Sequence, residues 1–125
     1  MKEKLEKEGH RIARLPGKQN DADYTATKQA MAEGYDFIHQ ASLCHGGMRG
    51  SADLLRRIEE PSALGEWSYI PIECKLSSHS KPIYLVQACA YCELLTPILG
   101  KRPERFKLYL GGRRFLEYST NEFWS

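Results

Sequence analysis

Residues 66–76 read EWSYIPIECKL, which is the composition of a β-strand. Successive side chains of a strand point to opposite faces, so Tyr69, Glu73 and Lys75 share one face. The other face takes the remaining apolar residues, Ile70, Ile72, Cys74 and Leu76. A carboxylate and an ammonium group therefore project together from one face, roughly 7 Å apart along the strand.

A second strand-like run, residues 48–58, carries a single carboxylate, Asp53. Residues 59–65, EEPSALG, supply turn residues between the two runs. If the turn is centred near Ala63, an antiparallel hairpin places Asp53 nearly opposite Glu73, with the Cβ atoms about 5 Å apart. Two carboxylates and a lysine on one sheet face predict a site for a hard divalent cation. The alternative is that these are solvated surface charges, which any hairpin carries.

A helix is expected directly after this hairpin. Residues 80–82, SKP, have the pattern of a cap followed by proline in the first turn. The helix continues to about Leu99 and stops at Gly100. Gln87 and Tyr91 are four residues apart and therefore share a face of the helix, with Tyr84 one turn earlier.

Taken together, these motifs resemble those of the PD-(D/E)XK nucleases of the RecB-like branch. In chain order they are Gly50-x-x-Asp53, Glu73-Cys74-Lys75 and Gln87-x-x-x-Tyr91. Each motif alone is common, whereas the ordered set at these spacings is fairly specific. Flanking stretches are similar to one group of bacterial RecB-like nucleases: residues 27–34, 52–57, 64–69, 81–87 and 108–111. The resemblance covers roughly residues 10–112.

The resemblance implies an α/β fold with a restriction-endonuclease-like core, αβββαβ, in which a mixed central sheet is flanked by helices. It implies a single nuclease domain over residues 1–125, with its core at about 22–118. The activity it implies is metal-dependent hydrolysis of DNA phosphodiester bonds, in repair, recombination or defence. The sequence does not distinguish DNA from RNA, endonuclease from exonuclease action, or one oligomeric state from another.

The family pattern also implies a role for each motif residue. Asp53 and Glu73 would bind Mg²⁺ or Mn²⁺ through their side chains, and Cys74 through its backbone carbonyl. The metal lowers the pKa of an attacking water and neutralises charge on the phosphate. Lys75 would orient or help deprotonate that water and stabilise the transition state.

Contacts to DNA are expected from the helix and from basic clusters. The resemblance implies that Gln87 and Tyr91 hold the DNA backbone or brace the metal ligands. Arg56 and Arg57 form a basic pair that could follow phosphates, although a solvated face accounts for them equally well. The net charge of +2 is too weak to indicate nucleic acid by itself.

Length and composition limit the class of protein. A chain of 125 residues, 42% hydrophobic and 27% charged, is typical of one globular domain with a single core. We expect no apolar run long enough to span a membrane and no membrane partner. The charged start, MKEKLEKE, differs from a signal peptide, so a cytoplasmic location is expected.

Four cysteines raise the question of a metal or iron–sulfur centre: Cys44, Cys74, Cys89 and Cys92. Cys89 and Cys92 have CxxC spacing but fall inside the predicted helix rather than in a zinc-binding turn. RecB-like nucleases with an iron–sulfur cluster usually place cysteines beyond this helix, where the chain has none. We therefore expect reduced, mostly buried cysteines and no iron–sulfur cluster.

Capping signals and alternation predict the remaining elements. Strand 35–43 is expected to alternate Phe37, His39, Ala41 and Leu43 against Ile38, Gln40 and Ser42. The other expected elements are a short helix over 1–8, a strand over 10–15, a helix from Asp21 or Asp23 to Glu33, a glycine turn at 45–47, and a hairpin of strands 105–110 and 113–118.

One departure from the family affects the expected activity. RecB-like nucleases usually supply a further His or Glu from an upstream helix, often in a Gly-x-x-His context, and here only Glu3, Glu6 and Glu8 are available. The expectation is an isolated or truncated core, weak or inactive alone and completed by a helicase or ribonuclease H-like portion or partner. The alternatives are a non-catalytic DNA-binding or assembly module, a small interaction domain or, less well supported, a junction resolvase.

Overall fold

Six strands and two helices make up the described part of the chain. A computed structural model describes residues 9–75, 81–111 and 114–120. The predicted helix over residues 1–8 lies outside that range. In chain order the elements are β1 Ile12–Arg14, α1 Asp21–Ala32, β2 Phe37–His45, β3 Met48–Ile58, β4 Ser68–Lys75, α2 Pro82–Leu99, β5 Arg105–Leu110 and β6 Arg114–Ser119.

The strands form one mixed sheet in the order β1-β2-β3-β4-β5-β6. β1 and β2 are parallel, as are β4 and β5, while the other neighbours are antiparallel. Parallel neighbours need a crossover connection, and α1 and α2 provide the two that this sheet requires. The predicted α/β class with a mixed sheet is confirmed.

The predicted hairpin between β3 and β4 is confirmed, including its register. Leu54 pairs with Ile72, Leu55 with Pro71 and so on to Ile58 with Ser68. This pairing is centred on Ala63, as the turn composition predicted. The β5–β6 hairpin also pairs antiparallel, although Gly112 in its turn lies outside the described residues.

Both described helices cover the same face of the sheet. Residues of α1 and α2 join strand residues of β2, β3 and β4 in one apolar cluster: Ala30, Met31, Ile38, Ala41, Leu43, Ala52, Leu55, Tyr69, Leu94, Leu95 and Leu99. On the opposite face lies a smaller cluster of Phe37, Leu54 and Ile72, with Ile12, Cys74 and Tyr109 against it. The helix-covered face therefore contains the core, and it is also the face to which Tyr69, Glu73 and Lys75 were assigned.

The start of α1 differs from the prediction. Its N-cap is Asn20, whose side chain accepts a hydrogen bond from the amide of Asp23 at 2.9 Å. Asp23 is buried, and its own carboxylate accepts from the amide of Lys18 at 2.6 Å. The aspartate is therefore already engaged with the preceding loop, and Asn20 takes the capping position. The predicted stop at Gly34 is confirmed by its positive φ of 73°.

The predicted alternation of β2 is wrong because the strand is distorted at Gln40, which has a φ of 57°. Ile38 and Ala41 both join the helix-covered cluster, although a regular strand would point them to opposite faces. Phe37 points to the other face. Ser51 on the neighbouring strand lies 3.2 Å from Gln40 Oε1 and hydrogen-bonds to it, which ties the distortion to β3.

Helix α2 has its proline and its final glycine where they were expected, but its N-cap is Lys81, which makes no side-chain capping hydrogen bond, and Ser80 lies outside the described residues. Pro82 stands in its first turn after Lys81, and Gly100 ends it with a φ of 77°. Contrary to expectation, this apolar helix is long enough by length and composition to cross a membrane, although only one such helix is found in the described residues. In the structure its buried residues Leu94, Leu95 and Leu99 join the apolar cluster on the sheet.

Candidate active site

The end of the β3–β4 ladder brings two carboxylates together. The last paired residues are Leu54 and Ile72. Beyond them, the amide of Asp53 donates to Glu73 Oε1 at 3.3 Å, and the amide of Cys74 donates to Asp53 Oδ2 at 2.9 Å. Each acid therefore binds the backbone of the other strand, and this is the meeting of Asp53 with Glu73 that the hairpin register predicted.

Glu73 is not a solvated surface charge, because its side chain is only 2% exposed. Burial raises the pKa of Glu73 to about 7, and the negative charge of Asp53 raises it further, while the backbone hydrogen bond and Lys75 oppose these effects. A buried carboxylate beside a second carboxylate is costly unless a cation compensates it. This burial argues against the simple surface interpretation of the hairpin charges.

Lys75 supplies part of that compensation. Its Nζ lies 3.6 Å from Glu73 Oε2, and its side chain remains 24% exposed. The ammonium group thus connects the buried acid to solvent. The same ammonium lies 5.0 Å from the ring centroid of Tyr84, on the first turn of α2.

Tyr91, on α2, lies near enough to the carboxylate pair for both charges to act on it. Burial raises the pKa of Tyr91 to about 12, with further contributions from the charges of Glu73 and Asp53. Its ring packs on β3 where the strand has a glycine: a Cβ added at Gly50 would lie 3.0 Å from Tyr91 Cε1. Gly50 therefore gives α2 the room to approach the sheet beside Asp53.

Gln87 carries the one orphaned acceptor found in the described residues. Its Oε1 atom is buried and has no hydrogen-bond partner there. An unsatisfied buried acceptor is costly, and an explanation such as an ion or a water is expected. Gln87 lies one turn before Tyr91 on the same helix, so the orphaned oxygen belongs to the helix that covers the acids.

Cys74 contributes its amide to the site. Its thiol packs on the opposite face of the sheet, beside Leu54 and Ile72, and burial raises the pKa of the thiol to about 11. The predicted role of its carbonyl stays a prediction. All four cysteines are free, but only Cys92 is fully buried, so the expectation of mostly buried cysteines was wrong.

Arg56 and Arg57 do not join this cluster. Arg57 donates to Glu59 at 2.8 Å and to the carbonyl of Gly34 at 2.9 Å, and it stacks over Trp67. Arg56 lines a cavity of about 560 Å³ that also touches the opposite-face cluster. A contact of either arginine with nucleic acid stays a prediction.

The donor set fits a hard cation that is held by few protein ligands. Among the described residues no group of three or more His, Cys, Asp or Glu side chains could hold a metal ion. The carboxylates of Asp53 and Glu73 nevertheless offer oxygen donors. Mg²⁺ is usually bound by one or two carboxylates, with waters and substrate phosphates completing its shell. The residues present thus fit Mg²⁺ or Mn²⁺ better than a closed, all-protein metal site.

Tyr84 also belongs to this cluster, through its contact with Lys75, although the family motifs gave it no role. The available signal was its spacing, three residues before Gln87 and seven before Tyr91, which places all three on one helix face.

A scan against models of known protein families found no match, and a search of the curated proteins found none either.

Proposed function

We propose that this chain is a metal-dependent nuclease that hydrolyses DNA phosphodiester bonds on a restriction-endonuclease-like core. The observation that carries the proposal is the part-buried hydrogen bond from the Asp53 amide to the Glu73 carboxylate, with Lys75 Nζ 3.6 Å from that carboxylate. A second acid and an amine clustered around a buried carboxylate are costly for folding alone. Their assembly is better explained by a cation and an anionic substrate.

The order of elements supports the same fold proposal. α1, β2, β3, β4, α2 and β5 follow one another as αβββαβ, and β1 and β6 extend the sheet at its two edges. In this arrangement the acids lie on the two central strands and Tyr91 on the helix that follows them. This matches the sequence order of the three RecB-like motifs.

Phosphodiester hydrolysis is extremely slow without catalysis. Mg²⁺ or Mn²⁺, when bound, supplies a more acidic water and positive charge toward the phosphate. Asp53 and Glu73 would hold this ion, with Gln87 Oε1 as a further oxygen donor.

The remaining steps belong to the side chains around the acids. Lys75 orients the attacking water and places a positive charge where negative charge develops on phosphorus. Glu73 faces the partly exposed Lys75 ammonium at 3.6 Å. Tyr91, with its raised pKa of about 12, keeps its proton at neutral pH and can donate a hydrogen bond.

A cleavage assay tests the proposal. Labelled single- and double-stranded DNA, linear and circular, is incubated with Mg²⁺ or Mn²⁺ and with the parent, Lys75→Ala or Lys107→Ala. Lys107 is the matched control, because it lies on β5 and lines the cavity beside the opposite-face cluster. We expect the parent and Lys107→Ala to cut and Lys75→Ala to be inactive. Equal cutting by all three proteins, or no cutting by the parent, would refute the proposal.

A non-catalytic DNA-binding or assembly module on the same fold is the second candidate. It is favoured by the lack of a third acidic or histidine ligand in the described residues. Such a module would bind DNA but leave it intact at every Mg²⁺ or Mn²⁺ concentration. A helicase or ribonuclease H-like partner and a cytoplasmic location are further proposals that either candidate accommodates.

A further inference from the structure

Tyr84 lies at the point where helix α2 approaches the end of β4. Its ring centroid is 5.0 Å from Lys75 Nζ and 5.9 Å from Lys81 Nζ. Both distances fall within the range of about 6 Å in which an aromatic ring attracts a cation. One half-buried ring therefore borders two ammonium groups.

Lys75 needs such a restraint. Its contact with Glu73 is 3.6 Å, longer than the roughly 2.8 Å of a well-formed charge-assisted hydrogen bond. A lysine side chain has a flexible four-carbon stem and loses considerable rotamer freedom when it is fixed in place. The carboxylate of Glu73 alone thus leaves the ammonium loosely held.

We propose that Tyr84 is a positioning residue of the candidate site: its ring holds the ammonium of Lys75 beside Glu73. The attraction comes from the face of the ring, so the hydroxyl group is not needed. Phenylalanine should therefore replace Tyr84, whereas leucine, which is apolar but has no ring, should not. The catalytic consequence rests on the proposed nuclease function, while the contact itself does not.

The contact is tested directly by NMR. Lysines of the intact protein are dimethylated with ¹³C-formaldehyde, which keeps their positive charge, and the Lys75 signal is assigned by its loss in Lys75→Arg. We expect this signal to be shifted by the ring current of Tyr84, to stay shifted in Tyr84→Phe and to move to the position of ordinary lysines in Tyr84→Leu. A Lys75 signal that is the same in Tyr84→Leu and in the parent would overturn the proposal.

The kinetic test separates positioning from general stability. In Tyr84→Leu we expect kcat to fall about fivefold, which corresponds to a cation–π contact of about 1 kcal/mol, with KM little changed. Tyr84→Phe should retain the parent kcat. If Tyr84→Leu cleaves like the parent, or if Phe fails to rescue, the positioning role is wrong.

Lys81→Ala is the control for the second ammonium. We expect it to leave both the Lys75 signal and kcat near the parent values. If it reproduced the effects of Tyr84→Leu, the ring would act through Lys81 and the proposal would fail. If the parent does not cut DNA at all, the nuclease proposal fails while the NMR result still decides whether Tyr84 holds Lys75.

Discussion

The backbone amide of Asp53 donates a hydrogen bond to Glu73 Oε1 across the end of the β3–β4 hairpin. Asp53 in turn accepts from the amide of the residue after Glu73. The two acids are therefore part of the hairpin structure as well as the candidate metal ligands. Substitutions at either position should be isosteric amides, since alanine would also remove a cross-strand hydrogen bond.

The raised pKa of Glu73 makes the metal-free protein less stable as pH rises. The group titrates near 4.5 when unfolded and near 7 in the folded chain. Its stabilising contribution is complete below pH 4.5 and is lost as pH rises through about 7. We expect Glu73→Gln to remove this pH-dependent loss of unfolding free energy, which is on the order of 3 kcal/mol at most.

This expectation is checked by denaturant unfolding in EDTA between pH 4 and 8, with parent and Glu73→Gln side by side. The other titrating groups are common to both proteins, so the difference between the two curves isolates Glu73. If the unfolding free energies of the parent and the variant changed in parallel with pH, Glu73 would not be the group that causes the loss of stability. Adding Mg²⁺ at pH 8 should stabilise the parent more than the variant, because only the parent keeps both carboxylates.

A methyl group at Gly50 should displace Tyr91. The added Cβ would lie 3.0 Å from Tyr91 Cε1, so we expect Gly50→Ala to destabilise the protein by about 1 kcal/mol through overpacking and to lower cleavage. In a Tyr91→Ala background the clash is absent. There the same substitution should stabilise by up to about 1 kcal/mol, because alanine reduces the freedom of the unfolded chain.

The measurement for Gly50 is a double-mutant cycle of unfolding free energies. A change of sign between the two backgrounds confirms that Tyr91 is the residue Gly50 makes room for. Equal effects of Gly50→Ala in both backgrounds would mean that the ring does not depend on this glycine.

Gln87→Met should separate stability from metal binding. Removing an unsatisfied buried acceptor is expected to leave the metal-free protein as stable as the parent or to stabilise it by about 1 kcal/mol. It should also weaken Mn²⁺ binding, measured by calorimetry, because an oxygen donor is lost. Gln29→Met is the matched control, since Gln29 is exposed on α1 and bonds only to Glu33 in the described residues. A destabilised Gln87→Met with unchanged Mn²⁺ affinity would assign Gln87 to the fold alone.

Local sequence signals predicted the hairpin and the limits of α2. The pairing of Leu54 with Ile72 follows from apolar alternation on both sides of a turn-forming segment. Pro82 and Gly100 mark the helix ends by their own backbone preferences. These features depend on residues that are close together in the chain, so they can be predicted from the sequence.

Features that depend on distant contacts were not predictable in this way. Glu73 is buried because α2 packs over the end of β4. In the isolated hairpin that face would be exposed to solvent. The distortion at Gln40 and the engagement of Arg57 with Glu59 likewise depend on partners that only the folded chain supplies. Asn20 caps α1 instead of the predicted aspartates, because the carboxylate of Asp23 already accepts a hydrogen bond from the Lys18 amide in the preceding loop.

If Asp53 and Glu73 are assembled to bind a divalent cation, diffraction from Mn²⁺-soaked crystals should locate the ion between them. Anomalous differences are collected for the parent and for Asp53→Asn, which keeps the shape of the side chain. We expect an anomalous peak between the two carboxylates in the parent and a weakened or missing peak in the variant. A parent map without a peak between Asp53 and Glu73, at Mn²⁺ concentrations that occupy other surface carboxylates, would contradict it.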